Sequence, residues 1–169
     1  MTDAPGATVG LDRFLKAQEH GDPTTYAVAL RELQQGSKDS HWIWYVFPQL
    51  QGLGYSGHAR YYGLLDLEEA RAYLLEPTLC HRYREALSAL VSATAKGRGI
   101  ISILSEVDAL KTVSSATLFH QVLRNTDTPL PEALIAISNL IDELFALIQV
   151  DGLQPCLRTQ EMLRERKDQ

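Results

Sequence analysis

Nowhere in this chain do apolar and polar residues alternate for long enough to build a sheet. What recurs instead is helical spacing, cut into segments by Gly and Pro. Tyr26, Ala29, Leu30 and Leu33 form one stripe; Leu79, Tyr83, Leu87, Leu90, Val91 and Thr94 form another. Asp22 before Pro23 offers an N-cap and a first helical residue, Gly36 a stop, and Asp66 with Glu69 a capping box. Residues 100–104 are β-branched, but a lone strand has no partner, so a short buried helix is expected there. Residues 111–117, rich in Ser and Thr, read as a turn into a helix over 116–125. The pattern predicts an all-α, compact multihelical single domain of about eight helices over residues 11–169, behind a flexible tail of residues 1–10.

Charge and composition exclude several classes. A net charge of −5 argues against general nucleic-acid binding, which needs a basic face. Cys80 and Cys156 match no zinc or redox spacing, and the five histidines form no metal-ligand pair, so neither metal nor cofactor is expected. Residues 1–10 lack the apolar core of a signal peptide. Residues 130–150 are apolar but broken by Glu132, Ser138, Asn139, Asp142 and Glu143, and read as a buried helix rather than a membrane span. A cytoplasmic protein with reduced thiols is the expectation.

Both tryptophans of the chain fall within residues 41–49, His41-Trp42-Ile43-Trp44-Tyr45-Val46-Phe47-Pro48-Gln49. On a helix, residues two apart point in different directions, so Trp42 and Trp44 cannot face one wall together. One should enter the core and the other should face a cleft, where an indole can stack a nucleobase. His41 and Gln49 supply hydrogen bonds at the ends. A glycine-rich loop follows, and beyond it Arg60 could clamp a phosphate or carboxylate. Residues 108–119 place Asp108 and Lys111 before Ser114 and Ser115. A lysine and hydroxyls at a helix start are one way to hold an anion, and N-capping by either serine is the plainer reading.

The segment Lys38-Asp39-Ser40-His41-Trp42-Ile43-Trp44-Tyr45-Val46-Phe47-Pro48-Gln49-Leu50-Gln51-Gly52-Leu53-Gly54 resembles the signature of the bacterial family called domain of unknown function 1810. Arg13-Phe14 with Ala17-Gln18, residues 69–74 and residues 108–119 fit as well, so the likeness covers residues 11–125. It implies a compact all-helical fold and no assigned activity. The chain departs from the family at Leu104-Ser105, where the family has Phe-Gly. A fainter likeness points to helical N-glycosidases of ADP-ribose and riboflavin-pathway nucleotides, although no glutamate lies between Lys38 and Tyr62. The expectation is a pocket for a nucleotide or ADP-ribose-like ligand with N-glycosidase (hydrolase) chemistry. In it Trp44 or Trp42 stacks the base, His41 and Gln49 hydrogen-bond it, and Lys111, Ser114, Ser115 and Arg60 hold phosphate. Asp108 and His41 are the catalytic candidates. The rival expectation is a non-catalytic helical interaction module with a structural Trp-rich core.

Overall fold

The computed structural model describes residues 7–127 and 129–169, with only the backbone for residues 7–9. Among the described residues ten α-helices follow one another: α1 (Ala7–His20), α2 (Tyr26–Gln35), α3 (Ile43–Val46), α4 (Gly57–Tyr62), α5 (Leu67–Leu75), α6 (Pro77–Ala95), α7 (Ile100–Leu104), α8 (Glu106–Arg124), α9 (Glu132–Leu147) and α10 (Leu157–Lys167). A 3-10 turn, Ile148–Asp151, extends α9. The count exceeds the eight expected, partly because the aromatic segment forms a helical turn of its own. Helix α1 takes in residues 7–10 of the stretch read as a tail; the rest of that stretch lies outside the described residues.

Local chemistry sets most boundaries. Gly36 closes α2 at φ 73°, a left-handed conformation that glycine adopts at little cost. Asp66 accepts from the Glu69 N–H at 2.8 Å, and Glu69 reaches back to the Leu65 N–H at 2.9 Å. Two expectations are corrected. Thr25, not Asp22, caps α2, accepting from the Val28 N–H at 3.4 Å. And residues 111–117 are no turn: α8 runs unbroken through them. Its hydroxyls bond back one turn, Thr112 to the Asp108 carbonyl at 2.9 Å, Ser114 to Leu110 at 2.9 Å and Thr117 to Val113 at 2.7 Å. Hydroxyl residues satisfied in this way remain compatible with a helix interior. Helix α8 starts instead at Ser105, whose Oγ accepts from the Asp108 N–H at 3.4 Å while its backbone stands at φ 80°.

Helices α2, α9 and α6 pack together, with Leu134, Ile137, Ile141 and Leu144 as the buried face of α9. By length and composition alone, residues 132–151 could also cross a membrane. Behind α6, α8 is buried along most of its length, and α1, α3 and α5 gather around it and α6. An aromatic cluster joins these elements: Phe14 meets Tyr73 edge-on at 5.1 Å, and Tyr83 meets Phe119 at 4.6 Å. The packing of α3 onto α8 brings the aromatic segment to the first turns of α8.

A polar cluster at Trp44, Asp108 and Lys111

The two tryptophans diverge as their spacing requires. Trp42 is wholly buried against the edge of Phe47, so it cannot stack a ligand. Its indole N–H points to Glu32 Oε1 at 3.4 Å. The same oxygen accepts from the Asp39 and Ser40 N–H groups, each at 2.6 Å, so one buried carboxylate shapes the chain entering the aromatic segment. Tyr45 anchors the other side. Its hydroxyl donates to the Thr24 carbonyl at 2.5 Å and accepts from the Thr24 N–H at 3.1 Å.

Trp44 is half-buried and lies among polar groups. The Lys111 ammonium stands 4.8 Å from its ring centre, and the His58 ring lies 4.8 Å away at 32°. Lys111 also reaches Asp108 Oδ1 at 3.6 Å, while Lys38 meets Asp108 Oδ2 at 2.8 Å. Lys38 bonds the Ser40 carbonyl and lies 5.0 Å from the Trp42 ring centre. Beyond His58, Asp22 accepts from the Tyr62 hydroxyl at 2.5 Å and comes within 3.5 Å of His58 Nε2. Burial, together with the Asp22 carboxylate, pushes the Tyr62 phenol well above its usual range. The indole nitrogen of Trp44 is shielded from solvent without a hydrogen-bond partner, and Nε2 of His58, also shielded, faces only the Asp22 carboxylate.

The fold therefore brings Trp44, Asp108 and Lys111 together and leaves the other candidates elsewhere. His41 is exposed, with its carbonyl 3.2 Å from the Tyr45 hydroxyl. Gln49 is buried, and its carbonyl accepts from the Leu64 N–H at 2.9 Å. Arg60 stands on the exposed side of α4. Ser114 and Ser115 lie inside α8, where the N–H groups serve the helix and no free helix start exists to hold phosphate. Ser115 is fully buried, 3.2 Å from the Tyr83 hydroxyl. Reasoning from the sequence missed Lys38, His58, Asp22 and Tyr62. Lys38 and His58 flank the aromatic segment closely enough to have been considered. Asp22 was marked only as a helix cap, and it reaches the cluster through the turn between α1 and α2.

A family model described as "Protein of unknown function (DUF1810)" matches residues 8–137. The crystal structure of the conserved hypothetical protein Rv1873 from Mycobacterium tuberculosis is 36% identical, with a TM-score of 0.75. That match covers 91% of this chain and 96% of the mycobacterial one. No curated protein matches. Neither match is to the N-glycosidase family that the aromatic segment faintly resembles.

Proposed function

This chain belongs to the DUF1810 family, and we propose that it holds a planar, anionic small molecule at Trp44 and Lys111, a nucleotide or ADP-ribose-like ligand being the class that meets both features. The observation that carries this reading is the unpartnered indole nitrogen of Trp44, Nε1, beside the Lys111 ammonium 4.8 Å from the ring centre. Buried N–H groups nearly always have partners, and an incoming acceptor would supply one. Lys111 provides the charge for a phosphate, and an indole stacked on a base contributes ~1–3 kcal/mol. N-glycoside cleavage forms no part of the proposal. Both oxygens of Asp108 already face lysines, which offset the negative charge that an oxocarbenium-like state needs.

The test is thermal melting with AMP, ATP and ADP-ribose, on the wild type, Trp44→Ala and Lys111→Ala. The expected result is a rise in midpoint for at least one nucleotide in the wild type that is lost in both variants. Failure of every nucleotide to move the wild-type midpoint, with both variants folded, sinks the reading. A second reading, a non-catalytic module in which these groups only hold α3 to α8, is favoured by the internal matching of Asp108 with two lysines. Under it the variants change stability alone.

A further inference from the structure

A cavity separate from the Trp44 cluster lies along the outer side of α6, where the end of α2 and the turn into α7 meet it. It is a groove of about 870 Å³, within the size range of small-molecule sites. Its depth follows from side-chain size: Ser88, Ala89, Ser92 and Ala93 repeat at helical spacing on α6, and Gly36 faces them from α2.

Long cations stand around this small-residue floor. Arg84 belongs to one end of the groove, and Lys96 and Arg98 to the other. At the helical rise, Arg84 and Lys96 are separated by roughly 18 Å. Arg98 donates to the Gly36 carbonyl at 2.7 Å, and a guanidinium so engaged keeps further donors. The C-terminal ends of α2 and α6 bring partial negative charge to this end, which Lys96 and Arg98 offset. Glu85 is the carboxylate among the lining residues, and it is already occupied. It accepts from the Tyr26 hydroxyl at 2.7 Å and lies 3.8 Å from His81. Three permanent cations against one engaged carboxylate is the reverse of the chain's net charge of −5.

The shape and lining narrow the ligand class. No Phe, Tyr or Trp is among the lining residues, so the groove has no large aromatic wall on which to stack a base. The acidic remainder of the molecule disfavours a long polyanion running past the groove. We propose that this groove binds a short linear phosphate chain, with Arg84 at one end and Lys96 and Arg98 at the other. Free tripolyphosphate and the tail of a nucleoside triphosphate share that chemistry.

Isothermal titration of the full chain at low salt with tripolyphosphate, ATP and orthophosphate tests the proposal. Five proteins are compared: wild type, the double variant Arg84→Glu with Lys96→Glu, Ser92→Trp, Lys16→Glu and Trp44→Ala. Ser92→Trp fills the floor without changing charge, and Lys16→Glu reverses an exposed charge on α1. Circular dichroism confirms that each variant is folded. Tripolyphosphate should bind more tightly than orthophosphate, and the double variant and Ser92→Trp should each weaken it by about tenfold or more. Lys16→Glu and Trp44→Ala should leave it unchanged, which separates this groove from the Trp44 site. ATP binding as tightly as tripolyphosphate in Trp44→Ala would support the triphosphate tail as ligand; weaker ATP binding would support the free chain. No binding of tripolyphosphate, or binding unaffected by Ser92→Trp, overturns the proposal.

Discussion

Lys111 holds its ammonium 4.8 Å from the centre of the Trp44 ring while standing 3.6 Å from Asp108. One side chain thus joins two segments distant in sequence. A cation over an indole contributes ~0.5–2 kcal/mol according to its exposure, so the contact is sufficient to orient Trp44 but too weak to hold α3 on α8 by itself. That task falls to the buried neighbours, which gives the two tryptophans different expected costs.

Trp42→Ala should destabilise the protein by ~3–5 kcal/mol, the usual cost of emptying a fully buried indole site. It would also remove one of Glu32's partners. Trp44→Ala should cost less, because its side chain is only half-buried. Urea unfolding of the two variants measures the difference. Equal losses would contradict the division between core and polar cluster.

Lys38 and Asp108 form a close pair at 2.8 Å, with side chains 6% and 17% exposed. Asp108→Ala leaves the Lys38 charge buried without its carboxylate and should lower stability by about 3 kcal/mol, and Lys38→Ala should cost less, because Asp108 keeps Lys111 at 3.6 Å. The double variant should lose less than the sum of the singles. A double-mutant cycle measures that difference, and strict additivity would show that the pair is not energetically connected.

Little of this cluster was legible beforehand. Trp42 and Trp44 were separable because helical spacing alone sends them in different directions. Asp108 and Lys111 could be nominated by residue type. Ser114 and Ser115 misled because hydroxyl-rich segments resemble helix starts, and only the back-bonds within α8 show that the helix continues through them. Asp22 was out of reach as a site residue, since its meeting with His58 depends on how α4 packs beside the turn after α1. The helical fold was readable from periodicity, whereas the single helical turn at residues 43–46 was too short to carry any.

His120 titrates below its ordinary value of 6.5, because burial and the nearby Arg124 outweigh Asp142. The folded state therefore takes up this proton at lower pH than the unfolded state. Its contribution is complete above about pH 6.5 and is lost as pH falls through the depressed folded value. Relative to the wild type, His120→Gln should lose less stability over that acid window. Chemical denaturation at stepped pH measures this, and parallel curves for the two proteins would refute it.

The two thiols should differ in reactivity. Burial alone would raise Cys156, but the polar groups around it, those of Ser114, Thr159 and the nearby backbone, bring it below its usual value. Cys80 is raised, mainly by burial. Both are half-exposed and free. Iodoacetamide at pH 8 should therefore label Cys156 before Cys80, as followed by peptide mass mapping. Faster labelling of Cys80 would reverse the assignment.

Ser105 combines a favourable cap with an unfavourable backbone. At φ 80° and ψ 162° it occupies a region that is largely glycine's, at a cost of order 1–3 kcal/mol, while its hydroxyl cap returns ~1 kcal/mol. Ser105→Gly should thus leave stability unchanged or raise it by up to about 1 kcal/mol, as thermal unfolding would show. A clear loss would mean that the cap outweighs the strain.

The position of that cap also fixes the rotational phase of α8. Each residue added or removed at a helix start turns everything beyond it by about 100°. Asp108 and Lys111 lie within the first two turns after Ser105, so their heading towards Lys38 and Trp44 is set almost at the point where α8 begins. The serine works as an index mark: were α8 to begin one residue earlier or later, the same sequence would aim its aspartate and lysine at different neighbours.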